Sequence, residues 1–230
     1  MDIGSNIITS IAIGFGVFFA IDENGRLWAF GNNENGMLGL DSESVGEIFR
    51  NAVIVNTDGR MNNNRIVSVS AGENHVLALD EYGNVWGWGY NEFGQLRDKF
   101  IGEIIYSPIL LASYLNRIIS IKASVLSSFA IDYYGNLWAW GANIYGCLGD
   151  GTIENRSIAI RINTNGRMKG RAIFMITAYD FNMMAIDEEG IIWVWGWGAR
   201  VVLNLNDYYE RNIPRRIQFS TFCHALNTPY

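Results

Sequence analysis

Proline is nearly missing from this chain, with 3 among 230 residues against 25 glycines. Its turns must therefore be built by Gly and Asn rather than by rigid proline corners. Cysteine is as scarce: Cys147 and Cys223 make neither a metal-ligand spacing nor a disulfide framework, and read as small buried apolar residues of a reducing compartment. Only His75 and His224 are histidines, and no Ser nucleophile, carboxylate pair or phosphate-cradling Gly run stands in a catalytic pattern. The sequence thus offers no enzyme signature and no catalytic, cofactor or metal site. Lysine is limited to Lys99, Lys122 and Lys169, so arginine carries most of the positive charge. A net charge of −6 disfavours a general nucleic-acid binder, which needs a phosphate-neutralising surface. No apolar run is long enough to span a membrane, because Glu103, Pro108 and Arg117 interrupt 101–121. The apolar stretch 7–21 is not a signal sequence, since Met1-Asp2 is not a basic start and the stretch aligns with three internal copies. The chain reads as soluble and intracellular, in nucleus or cytoplasm, or in a virion should its AT-rich-type composition reflect a large DNA virus.

What is present is a repeat. A hydrophobic fraction of 49% supplies a real core, and it is organised four times over. Fifteen residues align without a gap from Ile8, Ile66, Ile118 and Ile173, each ending in Asp: Asp22, Asp80, Asp132 and Asp187. A turn with Gly follows, then a Trp strand that closes on Gly, as in LDEYGNVWGWG from Leu79. Such a period means stacked supersecondary units. The first segment alternates with period two, as a half-buried strand does. Asp can bond amides two residues on while Gly accepts positive φ, so Asp-x-x-Gly predicts a tight connection and a structural role for the four carboxylates. Tryptophans at i and i+2, such as Trp86 and Trp88, share one strand face. A Gly-x-Asn-x-x-Gly-x-Leu loop then leads to a last strand, expected at 52–55, 108–111, 158–162 and 214–219. Four short antiparallel strands per unit describe an all-β fold, a small β-propeller of four blades. The repeats are expected at 8–65, 66–117, 118–172 and 173–219, with a tail at 220–230.

A longer period is superposed. Asn56-Thr57-Asp58-Gly59-Arg60-Met61 recurs as Asn163-Thr164-Asn165-Gly166-Arg167-Met168, both after odd-numbered copies. The four-repeat chain therefore reads as a doubled two-repeat unit. Doubling favours a ring closed by one chain, a monomer rather than a homodimer. Closure is expected to pair the strands of 8–22 with those of 191–219 in one blade, because joined ends bury edges.

The string Gly72-x-x-His75-x-x-Ala78-Leu79-Asp80-x-x-Gly83-x-Val85-x-x-Trp88-Gly89-x-Asn91-x-x-Gly94-Gln95-Leu96 resembles the regulator-of-chromosome-condensation repeat. The resemblance runs from about Ile8 to Phe219, clearest in copy two and degraded in copy four. It implies a β-propeller used for macromolecular recognition. Members usually have seven blades, and this chain supplies four. One branch senses light through interfacial Trp clusters, but here Trp28, Trp86, Trp88, Trp138, Trp140, Trp193 and Trp195 lie at repeat positions that blade packing explains, and Gly-Trp-Arg-His-Thr is absent. The repeat of quinone-dependent dehydrogenases is similar too, but that class needs a larger ring.

The leading expectation is a non-enzymatic interaction module binding a protein partner. Association with chromatin or packaged DNA is one alternative, with weak and salt-sensitive affinity. Guanine-nucleotide exchange on a small GTPase is the other, although no long insertion supplies a wedge loop. Candidate partner contacts are Arg60 and Arg167 at the two equivalent hairpin tips, and the basic cluster Arg211, Arg215 and Arg216. Each has a plainer reading, a solvated turn flank for the first pair and a charged edge-strand guard for the cluster. His75 occupies a repeat position and is expected to pack there, with its ring bonded to a neighbouring loop.

Overall fold

The computed structural model describes residues 6–55, 61, 63–111, 115, 117–163, 166–199 and 212–217. Within them the strands pair in sequence order in groups of four, giving four antiparallel sheets. Blade one is β1 (Ile8–Ile13), β2 (Val17–Asp22), β3 (Leu27–Asn32) and β4 (Ile48–Ile54). Blade two is β5 (Ile66–Ala71), β6 (His75–Asp80), β7 (Val85–Tyr90) and β8 (Ile104–Leu110). Blade three is β9 (Ile118–Ala123), β10 (Ser127–Asp132), β11 (Leu137–Gly141) and β12 (Arg156–Arg161). Blade four is β13 (Ile173–Tyr179), β14 (Asn182–Asp187), β15 (Ile192–Gly196) and β16 (Arg215–Arg216). The architecture is the four-bladed, all-β propeller that the repeats imply.

Blades stack through their first two strands. β5 packs on β1 and β2, β9 on β5 and β6, and β13 on β9 and β10. The first strands are thereby innermost around a common axis. Residues on the inner strands of the middle blades are buried on both faces, as in HVLALD of β6 and SSFAID of β10.

The glycine that ends each Trp strand has a steric cause. A Cβ at Gly31 would lie 2.2 Å from the Gly16 carbonyl oxygen, and at Gly89, Gly141 and Gly196 it would meet the Asn74, Leu126 and Phe181 oxygens at 2.5, 2.6 and 2.0 Å. Three of these glycines also carry a register shift to the fourth strand, between Ala29 and Gly31, Gly87 and Gly89, and Ala139 and Gly141. Those bulges extend the pairing upstream, so β4, β8 and β12 begin at Ile48, Ile104 and Arg156, earlier than the apolar runs suggest. Pro108 sits within β8, which its position at the sheet edge permits.

Closure differs from expectation. β1 and β2 pair with each other and with β3, while β15 and β16 belong to the sheet of β13 and β14. The strands of 8–22 and 191–216 therefore stand in separate sheets. Tight Asp-Gly turns pair each strand with the next at once, which leaves no strand free to be lent to another blade. Among the described residues nothing joins blade four to blade one as the other blades are joined. They form an arc, not the closed single-chain ring.

Candidate interaction surfaces

The recurrent carboxylates are turn hubs. In Asp80 one oxygen accepts the backbone N–H groups of Tyr82 and Asn84, and the other accepts Trp86 Nε1 at 3.0 Å and the side-chain amides of Asn84 and Asn64. Asp22, Asp132 and Asp187 repeat the pattern, each taking the indole N–H six residues on. Burial alone would raise the Asp80 carboxyl, but hydrogen bonds from Asn84, Trp86 and Asn64 outweigh it and hold the pKa below the ordinary carboxylate value. Asp22 is lowered likewise, against burial, by Trp28 and Arg26. These groups are structural, as the turn logic requires.

The second Trp makes a different bond, one that the sequence pattern did not disclose. Trp88 Nε1 donates to the Met37 carbonyl at 2.8 Å and Trp195 Nε1 to the Cys147 carbonyl at 2.7 Å, each in the loop of the preceding blade. The loop's final glycine allows the approach, since a Cβ at Gly39 or Gly149 would lie 2.9 or 2.8 Å from that indole nitrogen. Fully buried Asn33, Asn91 and Asn143 tie these loops by accepting the Leu38, Leu96 and Leu148 N–H groups. The recurrent Gly-x-Asn was the signal available.

His75 packs at the junction of blades two and three. Its Nε2 lies 2.9 Å from Ser128 Oγ, a residue of β10 rather than of a loop. The Ser128 hydroxyl donates to the Gln95 carbonyl, so the network assigns the ring proton to Nε2. Burial drives the His75 pKa down to about 3. Cys147 is a buried free thiol whose pKa burial raises to about 11. Neither has the exposure or partners of a reactive group. No group of three His, Cys, Asp or Glu side chains among the described residues could hold a metal ion.

Of the five candidate arginines, Arg167, Arg215 and Arg216 lie within the described residues. Arg60 and Arg211 lie outside the described residues. Arg167 is exposed in a 3₁₀ turn between blades three and four. Arg215 and Arg216 form β16, opposite Val194 and Trp193 at the edge of blade four, with Arg216 exposed.

A cavity of about 460 Å³ opens where the turns between first and second strands meet at the axis. Gly14, Gly72, Ser124 and Asp180, one from each blade, share its wall. The turns touch in succession: Phe15 N–H reaches the Gly72 oxygen, a Cβ at Gly72 would clash with the Ser124 oxygen, and Ser124 Oγ donates to the Asp180 carbonyl. Phe15 and Tyr179 stand exposed at the rim with Glu73, and Lys122 lies within, its pKa lowered by burial. Sequence reading missed this mouth because the turn position held by Phe15, Glu73, Val125 and Asp180 differs in every copy.

Two profiles of the regulator of chromosome condensation (RCC1) repeat match the sequence, one over residues 8–36 and 66–95 and the other over 24–79 and 134–169. The chain belongs to the RCC1 repeat family. It is 24% identical over 218 residues to the ultraviolet-B receptor UVR8 of Arabidopsis thaliana, covering 92% of this chain and 46% of that protein. It is 26% identical to the RCC2 homolog of Danio rerio, covering 88% and 44%. The RCC1-repeat arc thus spans under half the length of these relatives. Among solved structures, human WBSCR16 superposes with a TM-score of 0.81 at 20% identity, covering 95% of this chain and 56% of that one. Prp20p of Saccharomyces cerevisiae, whose structure is described with its binding to Gsp1p and histones, gives 0.63 at 18% identity, covering 92% and 65%. These likenesses establish the propeller fold.

Proposed function

We propose that this chain is a non-enzymatic interaction module that binds a protein partner at the axial mouth. The carrying observation is that cavity, where all four blades present their first turns and Phe15 and Tyr179 are exposed at 76% and 85%. Large aromatics at the edge of a concave, preformed site are what protein recognition uses as anchors. The mouth mixes Glu73 and Asp180 with a single Lys122, which suits a peptide segment better than a phosphate backbone. The buried titratable groups described above serve packing or turns, which supports binding rather than catalysis.

The test is crosslinking from the mouth. A photo-reactive residue at 15 or 179 should capture a protein in an extract of the native source, and one at Ile153, exposed on a loop of blade three, should not. The double change Phe15→Glu and Tyr179→Glu should weaken binding of the captured protein roughly 30-fold or more, as loss of aromatic anchors does. An unchanged affinity would refute the mouth as the site. The RCC1-repeat resemblance raises nucleotide exchange on a small GTPase as a second reading. If the captured partner is a GTPase, release of a fluorescent guanine nucleotide distinguishes a catalysed exchange from simple binding.

A further inference from the structure

Lys122 is a side chain of the mouth that the fold does not ask for. It stands on β9 opposite Phe129 of β10, and Ala12, Ser70 and Thr177 stand opposite Phe19, Leu77 and Met184 in the other blades. A small residue thus satisfies this place on the innermost strand in every other copy. In blade three the same place carries a four-carbon stem and a charge, half-buried in the wall of the axial cavity. Taking an ammonium out of water costs free energy unless an anion or hydrogen bonds replace that water. Among the described residues no hydrogen bond or ion pair to Lys122 does so. Burial lowers its pKa, and no neighbouring charge raises it again.

An uncompensated cation facing a cavity calls for an anion, and the surroundings narrow which kind. Glu73 and Asp180 share the wall of the cavity without pairing with Lys122. A phosphate group carries about two negative charges, and both carboxylates would repel it. A carboxylate brings a single charge and two acceptor oxygens, so it meets the ammonium at a smaller cost. The ammonium is a compact point charge with up to three N–H donors on a flexible stem, and it can follow such a group into place.

On the reading of the mouth as a protein-binding site, on which this rests, we infer that Lys122 anchors an acidic side chain, an Asp or Glu that the bound segment lowers into the cavity. A segment held at both Phe15 and Tyr179, on the first and last of the four turns, runs on past the cavity on either side. Its carboxylate therefore comes from a side chain and not from a chain end. The pair gives the site a selectivity that an aromatic rim lacks. Asn or Gln in place of the acid would leave the ammonium without its counter-charge, and a site built for a polar partner rejects the analogue that lacks it.

The probe is a pool of random peptides with both ends blocked, phosphoserine among their residues, passed over the full chain. Wild type should retain peptides enriched in Asp or Glu at one position. Lys122→Ser installs the residue of blade two, should keep the circular dichroism of wild type, and should retain peptides without that enrichment. For one retained peptide, changing the acid to its amide should weaken binding to wild type roughly tenfold or more, and to Lys122→Ser by no more than about twofold. Equal losses in the two proteins would overturn the proposal, as would enrichment of phosphoserine. So would a gain from freeing the peptide C-terminus that Lys122→Ser abolishes, since the ammonium would then hold a chain end. The double change Phe15→Glu and Tyr179→Glu separates this failure from that of the mouth. If it abolishes retention while the acid makes no difference, the mouth stands and Lys122 is not its anchor. If it leaves retention unchanged, the mouth itself is refuted, and a pool from which nothing is retained would overturn both.

Discussion

Replacing Asp80 by Ala should cost about 3–5 kcal/mol of stability and lower the unfolding midpoint by roughly 10 °C. The substitution removes the acceptor for five donors at once, two of them backbone amides of the turn and one the buried indole of Trp86. The Trp86 indole, buried in the sheet, loses its partner without access to water, while the part-buried amides of the turn are penalised less. Asp80→Asn should lie between, since it keeps one carbonyl oxygen but turns an N–H₂ toward other donors. The neighbouring exposed Glu81 provides the control, and Glu81→Ala should fall within about 0.5 kcal/mol of wild type. Chemical denaturation of the three variants reads the differences. A loss at Asp80→Ala no larger than at Glu81→Ala would mean that the blade does not depend on its turn hub.

The second large effect is a pH dependence. The unfolded chain protonates His75 near its ordinary pKa of 6.5, whereas the folded chain resists protonation until about pH 3. Between these values the unfolded state binds the extra proton, so stability is complete above pH 6.5 and falls as the pH is lowered. The slope approaches about 1.4 kcal/mol per pH unit, or on the order of 3 kcal/mol between pH 6.5 and 4.5. Asp22, Asp80 and Asp150 have lowered pKa values and act in the same direction, but only below the carboxylate range. The interval from 6.5 to 4.5 therefore isolates the histidine. His75→Val places there the residue that blade one carries at Val17, and should flatten the slope in that interval. Urea titrations at several pH values decide it, and a wild-type stability constant from pH 7 to 4.5 would contradict a neutral buried ring.

The repeat, the Asp-Gly turn and three strands of each blade were legible because each is local: alternation, turn chemistry and paired tryptophans act within a dozen residues. The fourth strand was legible only at its apolar end, because its true start depends on bulges at Gly31, Gly89 and Gly141 whose cause is a carbonyl some fifteen residues earlier. The arc itself could not be read. Ile11 and Ile121 look alike in sequence, and only the angle between blades decides that one is bare and the other covered. The clamp from Trp88 to Met37 was hidden for a related reason, since donor and acceptor sit in different copies. The axial mouth takes its character from Phe15, Glu73, Lys122, Tyr179 and Asp180, which do not recur, and a search for recurrence passes over them.

The indole bonds also give the molecule a set of spectroscopic labels. Trp28, Trp86, Trp138 and Trp193 each report on the turn of a different blade through an N–H held by its own aspartate. Trp88 and Trp195 report instead on the seams between blades. Indole protons resonate apart from backbone amides, so their exchange with deuterium would follow the loosening of single blades and the parting of neighbours as separate events. A solenoid-like chain can fray from its ends inward, and here the order in which six signals fade would record the direction of that fraying.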